Sequence, residues 1–227
     1  RERVGRDGEH HEPDRLPVAV RQAEGDPGGR LHAHRGDGPR NKGKDRLAQA
    51  EPADALLSRD PFALLVGMLL DQQIPMEWAF TGPWTIAGRL GTSSLDPRAV
   101  AEHDPDAFVA VMSGPPAVHR YPASMGARVQ KLAAFVVEHY DGDAARLWAD
   151  TGSGVELKRR LAELPGFGDQ KARIFIALLG KQLGVQPEGW REAAGTYGDD
   201  GSRRSVADVV DGESLAEVRA YKKQQKA

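Results

Sequence analysis

Residues 161–180 read LAELPGFGDQKARIFIALLG. Both flanks of this stretch read as helix. Between them stand one proline and two glycines within four residues, Pro165, Gly166, Phe167 and Gly168. A chain that only has to turn can do so with less permissive residues. Gly166 and Gly168 carry no side chain and can take positive φ without steric cost. Their amides are therefore expected to lie open at the N-terminus of the following helix. Open amides and the helix dipole together make an anion site. Phe167 is expected to point inward and anchor the turn, leaving room for a phosphate to approach the backbone.

The surrounding sequence reads as an all-α chain of about ten helices with short loops, without a convincing alternating strand or an internal repeat. Asp60-Pro61 opens one helix, a capping acid followed by Pro at the first helical position. That helix is expected to run to about Ile74, since Pro75 disfavours helical geometry in the residue before it. A second is expected over Met76–Leu90, with a possible break at Gly82-Pro83. Asp96-Pro97 and Asp104-Pro105 start two short helices. The stretch SMGARVQKLAAFVVEHYDG (124–142) is amphipathic, with Val129, Leu132, Ala133, Val136 and Val137 on one side. Further helices follow in GVELKRRLAEL (154–164), DQKARIFIALLGKQLG (169–184), GWREAAG (189–195) and SLAEVRAYKKQQK (214–226).

The 227 residues carry a net charge of −2, with 40% apolar and 28% charged residues. Any binding to nucleic acid must therefore use a local patch, because the overall field does not attract a polyanion. There is no cysteine, which excludes disulfides, thiolate zinc sites and Cys-ligated iron–sulfur clusters. It also fits a reducing cytosol, and the expected compartment is the cytoplasm, nucleoid-associated in a bacterium. No apolar run approaches the roughly 18 residues that a membrane span needs.

Residues 1–46 are of another kind. The first 45 contain no Phe, Trp, Tyr, Ile or Met. Such a segment buries too little apolar area to offset the ordering of its backbone, and it is expected to be disordered. Its His10, His11, His32 and His34 are taken as solvated histidines rather than metal ligands. It begins with Arg and resembles translated GC-rich DNA, so it is expected to lie upstream of the native start. Residues 47–227 form the folded part.

Three segments in order carry a family likeness. LAELPGFGDQKARIF (161–175) resembles the helix-hairpin-helix of the helix-hairpin-helix-GPD superfamily of base-excision DNA glycosylases, the endonuclease III-like group. DPFALLVGMLLDQQIPMEWAF (60–80) resembles that family's early helix, with its leucine-rich stretch and glutamine. YPASMGARVQKLAAFVVEHYDGD (121–143) is similar to the helix preceding the hairpin. The likeness spans roughly Leu56 to Trp190. It implies two helical lobes with the hairpin between them, duplex DNA carrying a damaged or mismatched base as partner, a monomer, no cofactor and, without cysteine, no cluster.

The resemblance assigns roles residue by residue. The backbone of Gly166 and Gly168 would hold the phosphates beside the lesion, with Phe167 as anchor. The glutamine that probes the duplex falls on Gln73; the alternative is that Gln72 and Gln73 cap the helix before Pro75. Bifunctional members carry a nucleophilic lysine two residues after the second hairpin glycine. Gln170 stands there, and Lys171 lies about 100° further round the helix. Both are expected to face DNA, and the chemistry is expected to be monofunctional, using water rather than a Schiff base. Eighteen residues on from Gln170, where the family has an aspartate, stands Glu188. It is the candidate catalytic carboxylate, expected to stabilise positive charge on the sugar and to orient a water; otherwise it is a helix-start glutamate favoured by the dipole.

Lys158, Arg159, Arg160, Lys171, Arg173 and Lys181 surround the hairpin and would serve as backbone contacts. Trp78, Trp84, Trp148 and Trp190 are each candidates for stacking on a base or for the core. The expected function is that of a DNA glycosylase hydrolysing the N-glycosidic bond of a flipped base. Two alternatives are a non-catalytic DNA-binding protein on a glycosylase scaffold and a helical protein–protein module.

Overall fold

A computed structural model of the chain describes residues 47–225; the residues expected to be disordered lie outside them. The described residues are all-α. They form α1 (Glu51–Arg59), α2 (Pro61–Leu70), α3 (Met76–Arg89), α4 (Pro97–Glu102), α5 (Pro105–Ser113), α6 (Pro122–Tyr140), α7 (Arg146–Ala149), α8 (Gly154–Ala162), α9 (Asp169–Gln182), α10 (Trp190–Ala194) and α11 (Gly212–Gln224). Two 3-10 turns, Gly195–Tyr197 and Val206–Asp208, lie between α10 and α11. No described helix is long and apolar enough to cross a membrane.

The three Asp-Pro pairs start helices as their chemistry dictates. Asp60 accepts from the Ala63 amide at 2.9 Å, Asp96 from Arg98 at 2.9 Å and Asp104 from Ala107 at 2.8 Å. The second oxygen of Asp60 accepts from the Leu95 amide at 2.7 Å and ties the start of α2 to the loop before α4. Pro83 sits inside α3 without breaking it.

α2 ends earlier than the sequence suggests. It stops at Leu70, Asp71 leaves helical geometry, and Gln73 takes a left-handed conformation at φ 59°. Pro75 is thus not what stops the helix. The last turn of α2 is closed by side chains that take its free carbonyls, described below.

Packing divides between α1–α6 and α7–α11. In the first set α2 lies on α3, and α4 and α5 lie on α6; in the second, α8, α10 and the Val206–Asp208 turn surround α9. Every α2 residue from Phe62 to Leu70 is buried, so this helix is core all round. One apolar core runs through both sets. Each buried leucine contributes about 1.5–3 kcal/mol, and Leu69, completely buried, is the one that reaches across to the α8–α9 turn.

The far end of α9 is closed by backbone proximity. A Cβ on Gly180 would lie 2.4 Å from the Trp190 ring, and one on Gly154 would lie 2.5 Å from the Gly189 carbonyl oxygen. The Gly154 amide donates to the Glu188 carbonyl at 2.7 Å. Only glycine lets α8, α9 and α10 approach so closely.

Candidate functional site

The α8–α9 turn differs from expectation at both glycines. Gly166 does take positive φ, +85°, but the space at its missing side chain is filled by Leu69, whose Cδ1 would lie 2.4 Å from a Cβ there. The close approach comes from this chain's own core. Gly168 is extended at φ −94° and not left-handed. It has open space beside it. It begins α9 with no side-chain cap. Phe167 is buried and meets Phe175 edge-on, ring centroids 6.0 Å apart.

The basic residues around the turn are engaged inside the chain. Lys158 and Arg173 both hold Asp169, each at 2.7 Å. Lys158 first, then Arg173, keep the Asp169 carboxyl below the usual carboxylate range. Arg159 and Arg160 share Glu156, which they hold down to about 2, and Arg159 also meets Glu163. Lys181 pairs with buried Asp208 at 2.7 Å. Carboxylates within the chain, at helical spacing for Arg159, Arg160 and Arg173 and from other elements for Lys158 and Lys181, thus engage most of the basic cluster that the sequence suggests as a DNA-facing surface.

Lys171 points elsewhere. Its ammonium donates to the carbonyls of Met68 at 2.6 Å and Leu69 at 3.1 Å, closing the C-terminus of α2. Gln72 also donates to Leu69, at 2.8 Å. Beside this junction opens a cleft of about 440 Å³. Asp71 comes to it from the end of α2, and Gln170 and Lys171 from the first turn of α9. Tyr197 belongs to the 3-10 turn after α10, Arg204 to the following loop, and Tyr221 and Lys222 to α11. Gln170 donates to the Tyr197 hydroxyl at 2.9 Å, fixing one wall.

Burial pushes the Asp71 carboxyl up, against the pull of Lys222 and Lys171. Burial pushes the Lys171 ammonium down to about 8, with Asp71 opposing. At neutral pH Lys171 is still mostly protonated, and the two helix-end carbonyls favour that form. A carboxylate raised and an amine lowered in one cleft is a pattern shared by reactive sites and structural charge networks. Among the described residues, no group of three or more acids and histidines could hold a metal ion.

The sequence-derived residues therefore separate. Gln170 and Lys171 meet in the cleft. Gln73 is exposed and does not line it, whereas Gln72 caps α2 and accepts from Arg128 at 3.3 Å. Glu188 is exposed and outside the cleft; its backbone bridges to Ser153 at the start of α8, the end remote from the turn. Trp190 is core, packed on Gly180. Trp148 is half-buried beside Phe175, while Trp78 and Trp84 are exposed.

Asp71 was legible in principle: an acid directly after an apolar helix opposes the dipole, so a second function or a neighbouring cation had to explain it. Tyr197 and Arg204 gave no such signal; Tyr221 and Lys222 belong to YKKQQK (221–226), which the sequence offers either as a DNA contact or as a frayed tail, and only the return of the chain after α10 brings all four to α2. Comparison with protein-family models, curated proteins and solved structures finds no match to this chain.

Proposed function

We propose that this chain is a monofunctional DNA glycosylase in which Asp71, rather than Glu188, supplies the catalytic carboxylate. The observation that carries the reading is the half-buried Asp71 beside Lys171, in a cleft between the end of α2 and the start of α9. A base flipped from duplex DNA would enter between Tyr197 and Tyr221, its extrusion costing a few kcal/mol. Ionised Asp71 would stabilise the positive charge that develops on the sugar and orient a water toward C1′. Water adds to C1′, the C–N bond breaks, and the base departs with a proton. Lys171 is engaged with the α2 carbonyls, so no free amine is held ready for a Schiff base. Its charge steadies the carboxylate.

The test is base release from duplexes carrying uracil, thymine opposite guanine, 8-oxoguanine, alkylated purines or hypoxanthine, read with and without alkali. Strand breaks only after alkali are expected, and only with Asp71 intact. DNA binding with no release from any substrate would establish the second reading, a non-catalytic DNA-binding protein. The exposed Glu188 at the family's aspartate position and Gln170 at its lysine position favour that reading.

A further inference from the structure

Cations divide sharply between the two sides of the cleft. Toward the α8–α9 turn, Lys158, Arg159, Arg160 and Arg173 are all held by carboxylates. Toward α11, Arg204, Lys222 and Lys223 form no ion pair among the described residues. The acids that could neutralise them are already used: Glu77 by Arg219, Glu217 by Arg203 and Asp208 by Lys181. Asp71 lies within electrostatic reach of Lys222.

These three cations follow the cleft outward. The Arg204 guanidinium lies 5.9 Å from the centre of the Tyr221 ring, at the cleft wall. A second hollow of about 350 Å³ adjoins it, sharing Asp71 and Lys222. Lys223 lines this hollow opposite an apolar edge of Ile74, Pro75 and Met76. A positive rim continuous with a tyrosine-walled cleft matches a nucleotide: base inside, phosphodiester along the rim.

We propose that the phosphodiester flanking the nucleotide in the cleft is held by Arg204, Lys222 and Lys223. This rests on the reading above and places the salt-dependent contacts on the α11 side. The α8–α9 turn then contributes at most uncharged amides. Lys222 and Lys223 also occupy the last turn of α11, where cations complement the dipole. That role alone would change thermal stability and leave the salt response of binding unaltered.

The experiment measures binding of the full chain to a short duplex with one tetrahydrofuran abasic-site analogue, by fluorescence anisotropy across a salt series. Each lost phosphate contact lowers the slope of log affinity against log salt by about 1. The double variant Lys222→Gln/Lys223→Gln is expected to lower it by about 2, and Arg204→Gln by about 1, with melting temperatures retained. The inference is overturned if these slopes equal that of the wild type, or if Lys158→Gln/Arg173→Gln produces the loss instead. Base release continuing alongside unaltered slopes would sink this inference while sparing the function proposed above. Absence of any binding by the wild type would overturn both.

Discussion

Two acidic residues, Asp71 and Glu188, stand at opposite ends of the machinery that holds α9. Asp71 follows the most apolar helix among the described residues and sits half-buried beside an ammonium in a cleft. Glu188 sits in a tight backbone seam where α8, α9 and α10 meet, and its side chain is exposed. Spacing along the sequence selects Glu188; burial and charge select Asp71. Position in a motif states where a residue would act if the loops between were built alike. An environment that perturbs a carboxylate states where the protein has already altered its chemistry.

The largest difference between the two acids is expected when each is neutralised in turn. Asp71→Asn is expected to lower the rate of base release by about 10²–10⁴-fold, the usual range for a positioned acid or base. Glu188→Gln is expected to leave that rate within about twofold, since surface changes of this kind are worth less than about 0.5 kcal/mol. Under the function proposed above, single-turnover kinetics on a duplex from which the wild type releases a base decides between them. The reverse ranking would restore Glu188 and reduce Asp71 to a helix-end residue.

Glu188's neighbourhood should instead reveal itself through stability. A Cβ on Gly154 would meet three backbone atoms within 2.7 Å, and backbone cannot step aside as a side-chain tip can. Gly154→Ala is expected to cost about 3 kcal/mol, the upper end for overpacking. For a domain of this size that is a fall of roughly 6–12 °C in melting temperature. An unchanged melting temperature would show that the seam is looser than its geometry.

Acidity separates the two acids again. The Asp71 carboxyl is raised above 3.8 by burial. Its contribution to stability is therefore complete below about 3.8 and is lost as pH rises through the folded-state value. Once ionised, the group opposes folding, so Asp71→Asn is expected to raise the melting temperature at pH above the folded-state value. That gain should vanish near pH 3. Lys171 runs the other way in charge: lowered from 10.5 to about 8, it makes stability rise between those values as the folded state sheds its proton first. Removing the Asp71 charge should push Lys171 lower still, which NMR of its Nζ group would register. Under the proposed function, base release should rise with pH as Asp71 ionises.

Much of the fold was legible locally, because its signals are local. Asp60, Asp96 and Asp104 before proline gave three helix starts from short-range hydrogen bonding alone. The end of α2 was misjudged because it is set by Lys171, about a hundred residues away, which takes carbonyls no sequence window can assign. The cluster of basic residues was visible, and its pairs with Glu156 and Glu163 follow from helical spacing within α8, but the Lys158–Asp169 pair depends on which faces of α8 and α9 meet. The cleft needed more still. Gln170 and Lys171 were singled out from the turn, whereas Tyr197, Arg204 and Lys222 join them only through the path of the chain after α10.

The last contrast lies within the turn, between glycines two residues apart. Gly166 has φ +85° and Leu69 against it, so Gly166→Ala combines a strained backbone with a clash and should cost about 1–3 kcal/mol. Gly168 is extended, with nothing near its missing Cβ, so Gly168→Ala should change stability by less than about 0.5 kcal/mol. Space at Gly168 that the fold does not use is space a ligand can use. Should the uncapped start of α9 meet a phosphate through its amides, Gly168→Ala will weaken duplex binding several-fold at unchanged melting temperature. Its salt slope will also be unchanged, because no cation is lost. Unaltered binding would mean that the glycine serves only the entry of the chain into α9, and that the α11 side holds the backbone alone.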